Sequence, residues 1–436
     1  MAGATWGVSE SMGKDKKTPE ESSGNGVREQ WRKIDSQNHL STRQKLEKLV
    51  AMKFRQPEVQ KTNEPDSPAV FETPYLVLHY SYPLDSRFGG VKLADWQAVS
   101  SKDLAVLAGD DLFREVDPLR LLYFDVETTG LAGGTGTIPF MLGFGAFDSG
   151  GFSVTVFVLN DLTREGEFIE AVDAFLAERE YEGTVTYNGK CFDFPLMETR
   201  YILHRRRFMP LQKPHLDFLF PARTLWKYTY GSRKLSYLGD ILLGISRDED
   251  VDPSQIPSLY FSYLRSGRFS LLEKVVEHNA LDLVGLSSLL LLAVRYLEDR
   301  SLVADEGEIL GTAMLYEKWG DLGRAGELLE IVRQTARRDE VLVPALKRLA
   351  AIKKKKKMYA EALELWSELS GFSDRFALRE LSIHHEHRLK DFNAAVEYAV
   401  MALETLELTP AQRRDLEKRL TRLRRKLAAL GPEDES

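Results

Sequence analysis

Residues 121–130 read LLYFDVETTG. An apolar run with the look of a buried strand ends in two carboxylates, Asp125 and Glu127. Residues two apart on a strand point to the same face, so both acids converge from one surface. Carboxylates held side by side repel each other unless they share a proton or a cation. The plain alternative is a strand end whose acids simply face water. The threonines and glycine that follow do not choose between the two, and the decision falls to the rest of the chain.

Outward from this stretch the pattern is α/β. PFMLGFGAF at 139–147 and FSVTVFVL at 152–159 read as meander neighbours of the first strand, separated by DSGG. EFIEAVDAFLAE at 167–178 places Phe168, Val172, Phe175 and Leu176 at helical spacing. TVTYNG at 184–189 is a further short strand ending in a turn, and a helix begins at Pro195 and runs to about His204. Three strands, a helix, a strand and a helix predict a mixed sheet flanked by helices. Upstream, residues 71–95 are strand-like, with a turn at Gly89–Gly90, and are expected to lead into this domain rather than form a domain of their own.

At 436 residues and 43% hydrophobic content the chain is long enough for two or more domains. Residues 1–70, rich in Ser, Gly, Lys, Glu and Asn, are expected to be disordered apart from a short helix near 43–54. The expected α/β domain occupies 71–298 and an all-α domain 305–430. A net charge of −7 argues against a protein that coats nucleic acid along its whole surface, while leaving room for a local basic patch. The single cysteine, Cys191, excludes an internal disulfide and suits a cytoplasmic setting. It is read as a small buried apolar residue rather than a nucleophile. No apolar segment precedes a cleavage site near the N-terminus, and LVGLSSLLLLAV at 283–294 is too short and too close to charges to span a bilayer, so no membrane partner is expected.

Beyond about residue 300 the strand patterns stop. GDLGRA at 320–325, KMYAEA at 357–362 and KDFNAA at 390–395 share a design, with an apolar or aromatic residue three before an alanine. Their spacings of 37 and 33 residues resemble the tetratricopeptide unit of helical hairpins. RRDLEKRLTRLRRKL at 413–427 sets Leu416, Leu420, Leu423 and Leu427 on one face and is expected to cap the stack.

The third acid, Asp193, closes Asn188-x3-Phe192-Asp193, and EHNALDLVGL at 277–286 is helical by pattern, with His278 and Asp282 four apart on one face. FDVETTG, N-x3-F-D and H-x3-D in this order resemble the three motifs of the DEDD superfamily of 3′→5′ exonucleases, which have the ribonuclease-H-like fold, and in particular the predicted exonucleases of the YprB type. YPL at 82–84, TGTIPFMLGFG at 135–145, HLDFLFPAR at 215–223 and SQIPSLYFSYLRSG at 254–267 extend the resemblance over about residues 75–295. It implies a two-metal site for Mg²⁺ or Mn²⁺, with Asp125, Glu127 and Asp282 as ligands and Asp193 completing the set, directly or through water. Hard divalent cations prefer carboxylate oxygens, and a pair of them suits phosphodiester hydrolysis.

His278 would orient or deprotonate the attacking water. Members with a histidine usually place it five before the last aspartate; the four-residue spacing here belongs to the tyrosine-type branch. Asp217 is read as support for the site rather than a ligand. Thr128 and Asn188 are further candidate substrate-binding residues. Arg205 and Arg206 in HRRR at 204–207, with Arg200 upstream, and Arg233 and Lys234 beside the aromatics of YTYGSRK at 228–234 are candidate holders of a single strand. The lysine run at 353–357 reads as a solvated edge. Two rival readings stand beside the exonuclease: an inactive nuclease-like scaffold whose repeats bind a protein partner, and a structure-specific endonuclease.

Overall fold

The computed structural model describes residues 69–130, 136–246, 251–299, 302–303, 305–405 and 408–429. The expected disorder of 1–70, residues 69 and 70 apart, and the short helix near 43–54 lie outside the described residues.

The expected mixed sheet has six strands in the order β1-β6-β5-β4-β7-β8. β1 spans Tyr75–Pro83, and a small hairpin, β2 Arg87–Phe88 and β3 Val91–Lys92, follows before helix α1, Ser101–Ala108. The meander β4 Leu121–Thr128, β5 Pro139–Asp148 and β6 Gly151–Leu159 is antiparallel throughout. Its tight turn is set by Asp148, whose Oδ1 accepts the amides of Gly150 and Gly151 at 2.7 and 3.1 Å. Helix α2, Glu165–Ala177, crosses back to β7, Gly183–Thr186, which pairs parallel with β4. Helix α3, Asp193–Leu203, then leads to the three-residue β8, His215–Asp217, parallel to β7 at the far edge.

Residues 71–95 do more than lead in. β1 pairs with β6 along its whole length, from Tyr75–Leu159 to Pro83–Gly151, and forms one edge of the main sheet. Its alternation of half-buried and exposed residues is that of an edge strand covered on one face.

Helices α4 Leu219–Leu225, α5 Leu235–Leu243 and α6 Ile256–Ser266 precede the long α7, Glu273–Glu298. α7 has the length and composition of a membrane span, yet 78% of its apolar window is buried inside the protein. It lies against β4, β5 and β6. Gly143 on β5 permits the close approach: a Cβ there would stand 1.9 Å from Asn279 Oδ1 and 2.8 Å from a Leu283 methyl.

The all-α region follows as antiparallel pairs: α8 Glu306–Trp319 with α9 Leu322–Thr335, α10 Asp339–Lys355 with α11 Tyr359–Ser370, α12 Arg375–His384 with α13 Phe392–Glu404, and a last helix, α14 Pro410–Ala428. The three repeated hexapeptides form the turns. Gly320, Lys357 and Lys390 each adopt a left-handed φ, of 97°, 61° and 59°, two residues before the second helix starts. Ala325, Ala362 and Ala395 are fully buried where each second helix presses on its partner. The array is joined to the α/β part without a break, and one buried cluster runs from Val91 to Leu381. Gly311 lets α8 approach the backbone of Leu225 so closely that a Cβ would be 2.0 Å from its carbonyl oxygen. Arg338 fastens the junction, donating to both Asp305 oxygens at 2.9 Å and to the Tyr228 carbonyl at 3.0 Å.

Candidate active site

Asp125 and Glu127 occupy the C-terminal half of β4, where the strand emerges half-buried from the core. Alternation puts both on the face that α7 covers. The β4–β5 register shifts between Glu127 and Thr128, a bulge that ends the regular pairing right after the second acid. Thr128 turns its hydroxyl to the Gly130 carbonyl at 2.9 Å.

Helix α7 brings the second half of the site. His278 Nε2 and Asp282 Oδ2 are 3.0 Å apart, one turn from each other, and both side chains are largely buried. Asn279, fully buried between them, donates Nδ2 to Asp125 Oδ2 at 2.7 Å. Its Oδ1 lies over Gly143, the residue paired with Asp125 across the sheet, and has no hydrogen-bond partner among the described residues. The sequence reading passed over Asn279. The available signal was its place between His278 and Asp282, together with a glycine inside a strand, which often marks close approach of another group.

Asp193 is the first residue of α3, at the start of a helix as expected. The loop before it is held by Asp217, buried at the end of β8, whose oxygens accept the amides of Asn188 at 2.7 Å, Lys190 at 3.0 Å and Leu219 at 3.2 Å. Asn188 takes a left-handed φ of 70°, which an asparagine tolerates. Beneath the loop, Thr186 Oγ1 accepts the Gly189 amide at 3.2 Å and meets His215 Nε2 at 2.8 Å. Burial and the nearby Lys190 charge push His215 down to about 3, so it is a neutral packing group against Phe194.

The acids also act on one another through their charges. Burial, and then repulsion from Asp282, push Asp125 up to about 7, although His278 and the Asn279 hydrogen bond pull the other way. Glu127 rises to about 8 through burial and the neighbouring Asp125. Asp193 is raised well above the usual range by burial and by Asp125, Asp217 and Glu127. Acids that raise one another in this way share one region of space.

The candidate substrate cations are disposed differently. Arg200 is buried in an ion pair with Glu165, its Nε donating at 2.7 Å, and His204 reaches the same carboxylate at 3.1 Å. This triad ties α3 to α2 and leaves Arg200 no role on the surface. Arg206 is bound to Glu170 at 2.6 Å and Asp173 at 2.9 Å. Arg233 turns to the Tyr230 carbonyl. Arg205 and Lys234 are exposed and form no ion pair among the described residues. Cys191 is exposed rather than buried, because it sits in the turn ahead of α3 and not in an element.

Among the described residues no three His, Cys, Asp or Glu side chains are grouped tightly enough to ring an ion. The donors nonetheless fit a hard divalent cation by kind: they are carboxylate oxygens that burial and mutual repulsion leave short of positive charge.

Residues 122–294, from β4 through most of α7, match the family model described as the RNase_H superfamily. The match takes in Asp125, Glu127, Asp193, His278 and Asp282. The chain is also 29% identical over 371 residues to YprB of Bacillus subtilis (strain 168), an uncharacterized protein, with 83% of this chain and 89% of the relative covered. Alignment over that length extends the likeness past the α/β part into the helical array.

Proposed function

We propose that this chain is a metal-dependent 3′→5′ exonuclease of the DEDD type, acting on single-stranded DNA or RNA. The observation that carries the reading is the set of mutually raised carboxylates, Asp125, Glu127 and Asp193, brought against the His278–Asp282 pair inside the segment that matches the RNase_H superfamily. Asp125, Glu127, Asp193 and Asp282 would hold Mg²⁺ or Mn²⁺, two ions in all. Bound there, the metal supplies charge stabilisation for the phosphodiester and lowers the pKa of water.

The chain's own residues do the rest. Asn279 fixes which Asp125 oxygen is free, because Oδ2 accepts its amide. Asp217 holds the loop that delivers Asp193. His278, with Asp282 setting the orientation of its ring, takes the proton of the attacking water, a task suited to a neutral imidazole. Thr128, Asn188, Arg205 and Lys234 are the residues we assign to the strand.

The further division we propose is an exonuclease domain at 71–298 and tetratricopeptide-like repeats at 305–430 that dock a protein partner, in a cytoplasmic setting. Degradation of 3′- and 5′-end-labelled single-stranded DNA and RNA with Mg²⁺ or Mn²⁺ tests the reading. Stepwise loss from the 3′ end, abolished by chelator and by Asp125→Ala, is the expected result. Internal cuts abolished in the same way would make the protein an endonuclease. No cleavage of any substrate by folded protein would leave the scaffold reading.

A further inference from the structure

The last helix, α14, carries eight basic and two acidic side chains in a chain whose net charge is −7. Its apolar face is occupied: Leu416, Leu420 and Leu423 are buried in clusters with residues of α12 and α13. Three of its cations are also occupied. Arg419, Arg422 and Lys426 converge on Glu386, a fully buried carboxylate, at 2.7 to 2.8 Å. What remains is an exposed face on which Arg413, Arg414, Lys418, Arg424 and Arg425 form no side-chain hydrogen bond or ion pair among the described residues.

Arg414, Lys418, Thr421 and Arg425 recur at intervals of four, three and four, which places them in one row along the helix. With Arg422 and Glu417 they line a shallow groove of about 410 Å³. The row is roughly 16 Å long at 1.5 Å per residue, with about 6 Å of rise from Arg414 to Lys418 and about 10 Å from Lys418 to Arg425.

We propose that this face of α14 is a landing track for the phosphate backbone of single-stranded nucleic acid. Three alternatives fit less well. A bilayer is met by a basic helix that lays its apolar face into the lipid, and here that face is packed away. A helix-binding groove would need the same face. A protein partner is normally gripped through aromatic or aliphatic anchors, and the lining of the groove has none. Unpaired guanidinium and ammonium groups in a row, with no apolar anchor, suit a chain of phosphates. The identity of the strand rests on the nuclease reading above; the binding of polyphosphate by α14 does not.

The test is fluorescence anisotropy with labelled 20-nucleotide dT and U strands, the full chain and chelator present, across a series of salt concentrations. The variant is Arg414→Gln/Lys418→Gln/Arg425→Gln. None of the three track residues contacts Glu386, so the triple variant is expected to melt as the wild type does. We expect it to bind about tenfold more weakly and to lose about 2 from the log–log salt slope, since each single-strand phosphate contact contributes about 0.7. Failure of the nuclease reading would leave this contrast intact while no strand is cleaved. Equal affinity and slope for triple variant and wild type would overturn the track, whether or not the protein cleaves. So would a polyglutamate chain that binds as tightly as the strands and depends on the same three residues, because the partner would then be an acidic protein.

Discussion

Asp125 sits in the C-terminal half of β4, and burial and its acidic neighbours make its charge costly. With Asp125 raised to about 7 and Glu127 to about 8, against roughly 4 in an unfolded chain, the folded protein binds more protons than the unfolded one across that interval. Stability of the metal-free protein therefore falls as pH rises from about 4 to about 8. Melting followed with chelator present should show this decline, and it should be shallower for Asp125→Asn, which melts above the wild type at pH 8 while losing activity. A flat profile would mean that the carboxylates are not crowded. At the same scale, Asp217→Ala leaves the amides of Asn188, Lys190 and Leu219 without their acceptor. Loss of about 2 kcal/mol on denaturant unfolding is expected from the three lost hydrogen bonds, that of Leu219 buried and the others half-buried, with a fall in strand cleavage as the loop before Asp193 loosens.

Between elements, the decisive contact is that of β5 with α7 at Gly143. Gly143→Ala drives a methyl into Asn279 Oδ1 and Leu283. The expected outcome is a loss of about 1–3 kcal/mol, as for overpacked cores, and a drop in nuclease rate because Asn279 is pushed from Asp125. Unchanged stability and rate would show that α7 has room to spare there. This contact also marks the limit of what the sequence revealed. Strands β4 to β7 and helices α2, α3 and α7 were legible, the strands as short runs of apolar and β-branched residues bounded by turns, α2 and α7 by helical spacing, and α3 by its start at a proline. The acids of the candidate site stand out in the sequence only through the order of their motifs. Asn279 does not, since a buried asparagine on an apolar helix carries no pattern of its own. β1 was recognised as strand-like but not as part of the main sheet, because nothing local states that it pairs with β6, its partners lying 68 to 84 residues away. Arg200 was misjudged for the same reason: Glu165, the partner that buries it, lies 35 residues upstream.

Across the whole molecule, the helical array shares a buried cluster with the α/β part and is closed at its far end by a charge lock. Burial alone would raise Glu386, but hydrogen bonds from Arg422 and Lys426 reverse this and hold it down at about 2. Glu386→Ala strands three cations around an empty site, and a loss of about 3 kcal/mol is expected from breaking a buried network. Proteolysis should then cut first at α14, whereas intact protection of that helix would show that the leucines hold it unaided. The account as a whole stands on the acid cluster being a cation site. Calorimetric titration of Mn²⁺ into wild type and Asp125→Asn, in buffers of different ionisation enthalpy at pH 7, tests that most directly. The account predicts two ions bound by the wild type with release of protons from the raised carboxylates, and greatly weakened binding in the variant. A wild-type protein that is folded and takes up no Mn²⁺ would contradict it.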